Sequence, residues 1–230
     1  GAEATREFVL HPGAVMVIGL LDDGQVVALT TAQIRALSVE QVGAMTSTQV
    51  KAMGTAQLNA MNADQVAALG TEDVAAISAS NLSALSTAVI QSLTSSQVVN
   101  LTNTQLKALS ADQLTALDVG DVEGLSTAQI NALSGAHISR LSTDSVKSLS
   151  STQVAAINVT ALRSLTADQI NAIDTADLAA MGTAQVAAIT QAQAAGMDAA
   201  DITALGAARF AALTPTAIGA LEGVHIAALS

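Results

Sequence analysis

The groups in this chain that could do chemistry are three histidines, a set of regularly placed carboxylates and a series of paired hydroxyls. His11, His137 and His225 could act as metal ligands. Asp73, Asp121, Asp177 and Asp201 could supply the paired carboxylates of acid–base catalysis, and Asp22-Asp23-Gly24 is a fragment of a calcium-loop pattern. Thr30-Thr31, Thr46-Ser47, Ser86-Thr87, Thr94-Ser95, Ser126-Thr127, Ser142-Thr143 and Ser150-Ser151 form a hydroxyl ladder of the kind that can meet ice or sugar. There is no cysteine, hence no disulfide framework, thiolate metal site or Cys nucleophile. Phosphate-loop, G-x-S-x-G, H-E-x-x-H, dinucleotide and calcium β-roll patterns are all missing.

What positions these groups is a single eight-residue sentence, repeated twenty-six times from Asp22 to Leu229 without insertion or deletion. Ser126-Thr127-Ala128-Gln129-Ile130-Asn131-Ala132-Leu133 states it in full. Position eight is Leu, Ile or Met throughout, and position five is Val, Ile, Leu or Phe except at Ala194. Position one is Ser, Thr, Asp, Asn or Gly except at Glu222, and position four is Gln in fourteen units and Asp in four. Ser/Thr-x-x-Gln is a capping box: the first side chain accepts from an orphan N–H of a helix start, and the Gln reaches back to the first residue's own N–H. An apolar residue before the cap then packs on the apolar fourth helical residue, pairing Leu125 with Ile130, Leu133 with Ile138 and Leu141 with Val146. Pro215 falls at the first helical position, and Glu40, Asp64, Glu72, Asp112, Asp144 and Asp168 fall at the second, where the helix dipole favours negative charge.

One continuous helix is excluded. Eight residues advance about 800°, so the apolar stripe drifts about 80° per unit and never faces one way. The chain must bend in every unit, giving helices about 9 Å long. The expected fold is therefore all-α, a solenoid or superhelix of one-to-two-turn helices; the alternative is a β-solenoid, against which stand the Ala, Gln and Leu content and an apolar spacing of three and five. Residues 1–21 follow the octad only loosely and are expected to be an N-terminal capping or irregular segment, with Asp22-Asp23-Gly24 as a turn signal; residues 22–230 are the repeat solenoid, Ser230 opening a further unit of a longer array. Ala at position seven, present in nineteen units, lets neighbouring turns approach; Asn100 and Arg140 in that place should open the coil or carry a contact.

Capping explains the candidate groups without catalysis. His137 and His225 occupy the Gln position, as do Asp73, Asp121, Asp177 and Asp201; Met45, Met53 and Met61 are position-eight core residues. No catalytic, cofactor-binding or metal-binding residue is assigned, no cofactor is called for and no enzymatic activity is expected. The net charge of −11 on 12% charged residues argues against nucleic-acid binding, and Arg35, Lys51, Lys107, Lys147 and Arg163, all at position six, read as a solvated face. The apolar run Ala14–Leu21 is far short of the ~20 residues of a membrane helix.

Units such as Leu125–Leu133 and Leu165–Ile173 resemble the Thr/Ser-x-x-Gln-Val-x-Ala-Leu arrays of very large exported bacterial surface proteins of the adhesin or haem-utilisation-or-adhesion type. The resemblance covers residues 22–230. It implies an extracellular or cell-surface location and a structural stalk or spacer, with contacts to cell surfaces or glycans made through other domains, or self-association of arrays. It implies no haem ligand, because the histidines share no motif. The alternative is a binding module that recognises a protein or glycan along the superhelical surface, ice being the less favoured ligand. Scatter of unusual residues along the array favours the spacer.

Overall fold

The computed structural model describes Ile18 and residues 21–228. Among them are twenty-five helices and no strand, so the chain is an all-α solenoid and the β alternative falls. All but one of the helices are four to six residues long, one per octad. Ser126 begins a representative unit: its backbone is extended (φ −67°, ψ 158°), its hydroxyl accepts from the Gln129 N–H, and the helix Thr127–Ala132 follows. Leu133 returns to extended backbone (φ −64°, ψ 135°), and the next cap follows at once. A capping box thus starts most of the helices, and the extended backbone of the next cap stops them.

These helices coil into a superhelix. Ser47–Ala52 packs on Asp23–Val27, three octads earlier, and on Thr71–Ala76, three octads later. Side chains also bridge to the fourth octad back, so a superhelical turn holds between three and four octads, about twenty-eight residues. Positions five and eight face inward and form one continuous core from Val26 and Ile34 to Ile202 and Leu205; toward the C-terminal end position five comes to the surface at Ile218 and Ile226, and the position-four Ala217 is buried instead. Leu125, Ile130, Leu133, Ile138, Leu141 and Val146, the expected staple residues, all lie in it. With hardly any aromatic side chains, the core is one aliphatic layer thick.

Small residues at position seven bring turns together, as expected. A Cβ built on Gly124 would lie 2.6 Å from Val99 Cγ1, and one on Gly196 would lie 2.6 Å from Ala167 Cβ. The coil does not open at the exceptional position-seven residues. Asn100 turns its amide onto its own helix, at the Ser96 carbonyl (2.8 Å), and Arg140 lies on the surface beside a shallow hollow.

One expectation needs correction, and one cap is unusual. Asp22-Asp23-Gly24 is not a turn but a helix start: Asp22 caps Asp23–Val27 with a complete box to Gln25. Local turn propensity loses there to the same cap chemistry that starts every other unit. The cap of the twenty-fourth octad, Gly206, is non-helical like the other caps, but its φ is 68° (ψ 161°), and the two helical segments within Ala199–Phe210 meet there at a kink. Gly54, Gly70 and Gly182 are caps too, yet keep negative φ. In those units Gln57, Asp73 or Gln185 accepts from the glycine N–H and holds the cap extended. In the twenty-fourth unit that place is taken by Arg209, which has no acceptor, so the glycine turns into the left-handed region open to it.

Most of residues 1–21, including His11, lies outside the described residues, as does Ser230. Ile18 and Leu21 nonetheless occupy the places of positions five and eight of a preceding unit: the Leu21 N–H donates to the Ile18 carbonyl, and Gln49 binds both carbonyls.

Candidate functional site

The position-four side chain is the most heavily used group in the structure. Gln105 is buried, at 2% exposure. Its Oε1 accepts from the Thr102 N–H at 2.8 Å, completing the local box. Its Nε2 then donates to the Val74 and Ile77 carbonyls at 3.0 and 2.9 Å, one superhelical turn below. Those are the position-five and position-eight carbonyls of the fourth octad back: the first already accepts the Ile77 N–H, while the second lies past the end of its helix and has no helical partner. One amide therefore closes the start of its own helix and the end of another. Gln65, Gln97, Gln113, Gln169, Gln185 and Gln193 repeat both bonds in the same register. Glutamate could make the first bond and not the second, because a carboxylate has no hydrogen to donate. This explains why the array uses Gln and not Glu.

Where Gln is missing, other side chains supply the donor. His137 accepts the Ser134 N–H on Nδ1 (3.3 Å) and places Nε2 at 3.0 Å from the Leu109 carbonyl, an arrangement that assigns the proton to Nε2. His225 accepts the Glu222 N–H on Nδ1 at 2.8 Å. Arg209 Nε donates to the Met181 carbonyl at 2.8 Å. Opposite Ala161, the cap Asn158 donates to the Leu133 and Asn131 carbonyls. Opposite Val89, Asn59 reaches up a turn, accepting from the Ser86 N–H and donating to the Ala84 carbonyl. His225 thus completes only its local box; the other rescues are not visible within an octad, since the partners stand 25–28 residues apart.

The four aspartates do not come together as an acid–base pair; each holds the position-four place in its own unit. Asp has no hydrogen to donate to the carbonyls below, so it cannot bridge as Gln does. Instead Asp73 accepts the Ser47 hydroxyl at 2.7 Å, Asp177 accepts that of Ser151, and Asn81 accepts that of Thr55, each from position two of the third octad back. Asp121 accepts its cap N–H on Oδ2, but Oδ1 is buried without a hydrogen-bond partner. Burial pushes the Asp121 carboxyl above the ordinary carboxylate range, opposed by the Asp118 backbone and the nearby Ser95 hydroxyl, which lowers it without closing a bond to Oδ1. Burial likewise raises Asp201.

The hydroxyl ladder is thus partly consumed: its first members cap helices, and Ser47 and Ser151 bind aspartates. Met45, Met53 and Met61 are core residues. The five position-six cations all face solvent. Among the described residues no group of three or more His, Cys, Asp or Glu is placed to hold a metal ion, and no helix is long and apolar enough to cross a membrane. Shallow surface hollows among the described residues include one walled by Ser126, Ser148, Ser150 and Thr152 and one by Thr87, Gln91, Asp112 and Arg140.

The ALTTAQ repeat matches residues 18–55, 44–71, 50–79, 66–103, 114–151 and 170–206, most of the chain. The chain belongs to the ALTTAQ repeat family. The six letters occur verbatim as Ala28-Leu29-Thr30-Thr31-Ala32-Gln33. This ALTTAQ segment runs from position seven of one octad to position four of the next, so a segment in this register carries the close-approach residue, the core leucine, the cap and the glutamine position that bridges turns in later octads. Search of curated proteins gives no significant match.

Proposed function

We propose that this ALTTAQ array is a stalk or spacer segment of an exported bacterial surface protein of the adhesin type, and that the coil itself is its function. The observation that carries this reading is the glutamine bridge: most of the buried polar side chains tie one superhelical turn to the next. Conserving that bond while positions two, three and six vary keeps a coil and commits to no ligand. The mechanism is mechanical. Pulling along the superhelix loads the turn-to-turn bonds one after another, so turns open singly and close again when tension falls. Such a coil extends a distal domain from a surface and yields before its anchor does.

The test stretches one molecule and, on the same protein, measures binding to cell-surface glycans. Stepwise low-force extension, reversible on relaxation, with no glycan binding supports the spacer. A single high-force rupture, or saturable glycan binding at the hydroxyl-walled hollow, would replace it with a binding module.

A further inference from the structure

The solvent-exposed charges are sorted around the coil in a way that no single octad reveals. With octads numbered from Asp22, a turn of between three and four octads returns every seventh octad to nearly the same face after two turns. Lys51, Lys107 and Arg163 stand seven octads apart, all at position six and all exposed. Their octads, the fourth, eleventh and eighteenth, contain no acidic residue. They make a cationic line along one face of a molecule whose net charge is −11.

Acidic residues form a second line, in which Lys147, in the octad of Asp144, is the one exposed lysine or arginine. From Ser78 to Ala228 they occur only in octads 12, 13, 16, 19, 20, 23 and 26. Those intervals of one and three repeat the pattern by which a stripe follows one face of an α-helix, here one level up, with octads in place of residues. The stripe is continuous in space, since Val119–Glu123 packs on Thr143–Lys147, which packs on Ala167–Asn171. At about 100° per octad it lies about 100–200° around the coil from the cationic line. Asp112 and Asp168, like Asp118 and Asp174, are also seven octads apart, and all four are exposed. Opposite charges therefore repeat with one axial period, two superhelical turns, on different sides of one coil.

We propose that copies of this chain pack side by side, the cationic line of one against the acidic stripe of the next. Equal periods let the lines stay in register over their whole length. Each exposed ion pair is weak alone, and pairs held on one stiff coil act together. At ~0.1 M salt the Debye length is ~10 Å, so the facing lines outweigh the net charge of the molecules; at ~1 M it falls to ~3 Å and the pairs are screened. This surface is independent of the spacer reading, which concerns a single coil under tension.

Sedimentation of the protein at ~0.1 M and ~1 M salt tests it. We expect association at the lower salt that disappears at the higher. The variant K51E/K107E/R163E should be monomeric, as should D112K/D144K/D168K, whose three sites are exposed and are not caps; a mixture of the two should associate again. Helical circular dichroism checks that both variants fold. A monomer at both salts up to about 1 mM, association indifferent to salt, or a mixture that fails to associate would overturn the proposal.

Discussion

Each glutamine of the ladder makes its acceptor and its donor count, and that separates two substitutions that otherwise look alike. In Gln105→Glu the carboxylate keeps the Thr102 N–H but sets negative charge against the Val74 and Ile77 carbonyls. The expected cost at neutral pH is about 2–4 kcal/mol, the range for burying an unsatisfied charged group. The new carboxyl would be protonated more readily folded than unfolded, so this loss should shrink as pH falls toward the carboxylate range; chemical denaturation across pH measures it. Asp121 already behaves this way. Its folded value is raised by burial, so the folded state binds its proton more tightly than the unfolded chain does. Its contribution is most favourable below the unfolded value near pH ~4 and is lost as pH rises through the raised folded value. Asp121→Asn should therefore stabilise the coil at neutral pH, by about 0.5–1.5 kcal/mol if its amide reaches a carbonyl below, as Asn81 reaches Met53 at 3.1 Å. That gain should vanish in acid, as thermal melting at pH ~7 and ~4 would reveal.

At the scale of the element, the octad is a helix too short to be stable alone, and contact with the turns above and below decides its fate. Gly196→Ala drives a methyl into Ala167 with no flexible side chain to yield, and overpacking of this kind costs about 1–3 kcal/mol in denaturation. Gly182→Ala, with no atom other than Gln185 Oε1 near the added carbon, should be nearly neutral and serves as the control. Deleting the whole octad Thr102–Leu109 keeps every bridging glutamine in register with carbonyls below, so a shorter folded coil is expected. Its cost is the specific pairs that span the deletion, such as Val99 against Gly124. Deleting four residues puts caps where core residues belong. Circular dichroism should show helix retained in the first case and lost in the second; equal loss in both would refute modularity.

For the whole molecule, stability should rise with the number of octads until each end octad is a small fraction of the array, because only interior octads have turns on both sides. Much of this was legible in the octad itself. Caps, helix starts, the aliphatic stripe and the exclusion of a continuous helix depend on residues at most eight apart, so local stereochemistry determines them; His137 and the four aspartates could be placed at the third helical residue for the same reason. The tertiary structure alone decided what lies twenty-five to thirty-one residues away. The number of octads per turn follows from how short helices pack, and no octad states it. Without that number, the second half of each glutamine's role, the rescues by Asn59, Asn158 and Arg209, and the alignment of charges seven octads apart have no geometry in which to appear. Capping is a contest between neighbours in the chain, whereas bridging and charge alignment need the coil to close first and bring distant octads face to face.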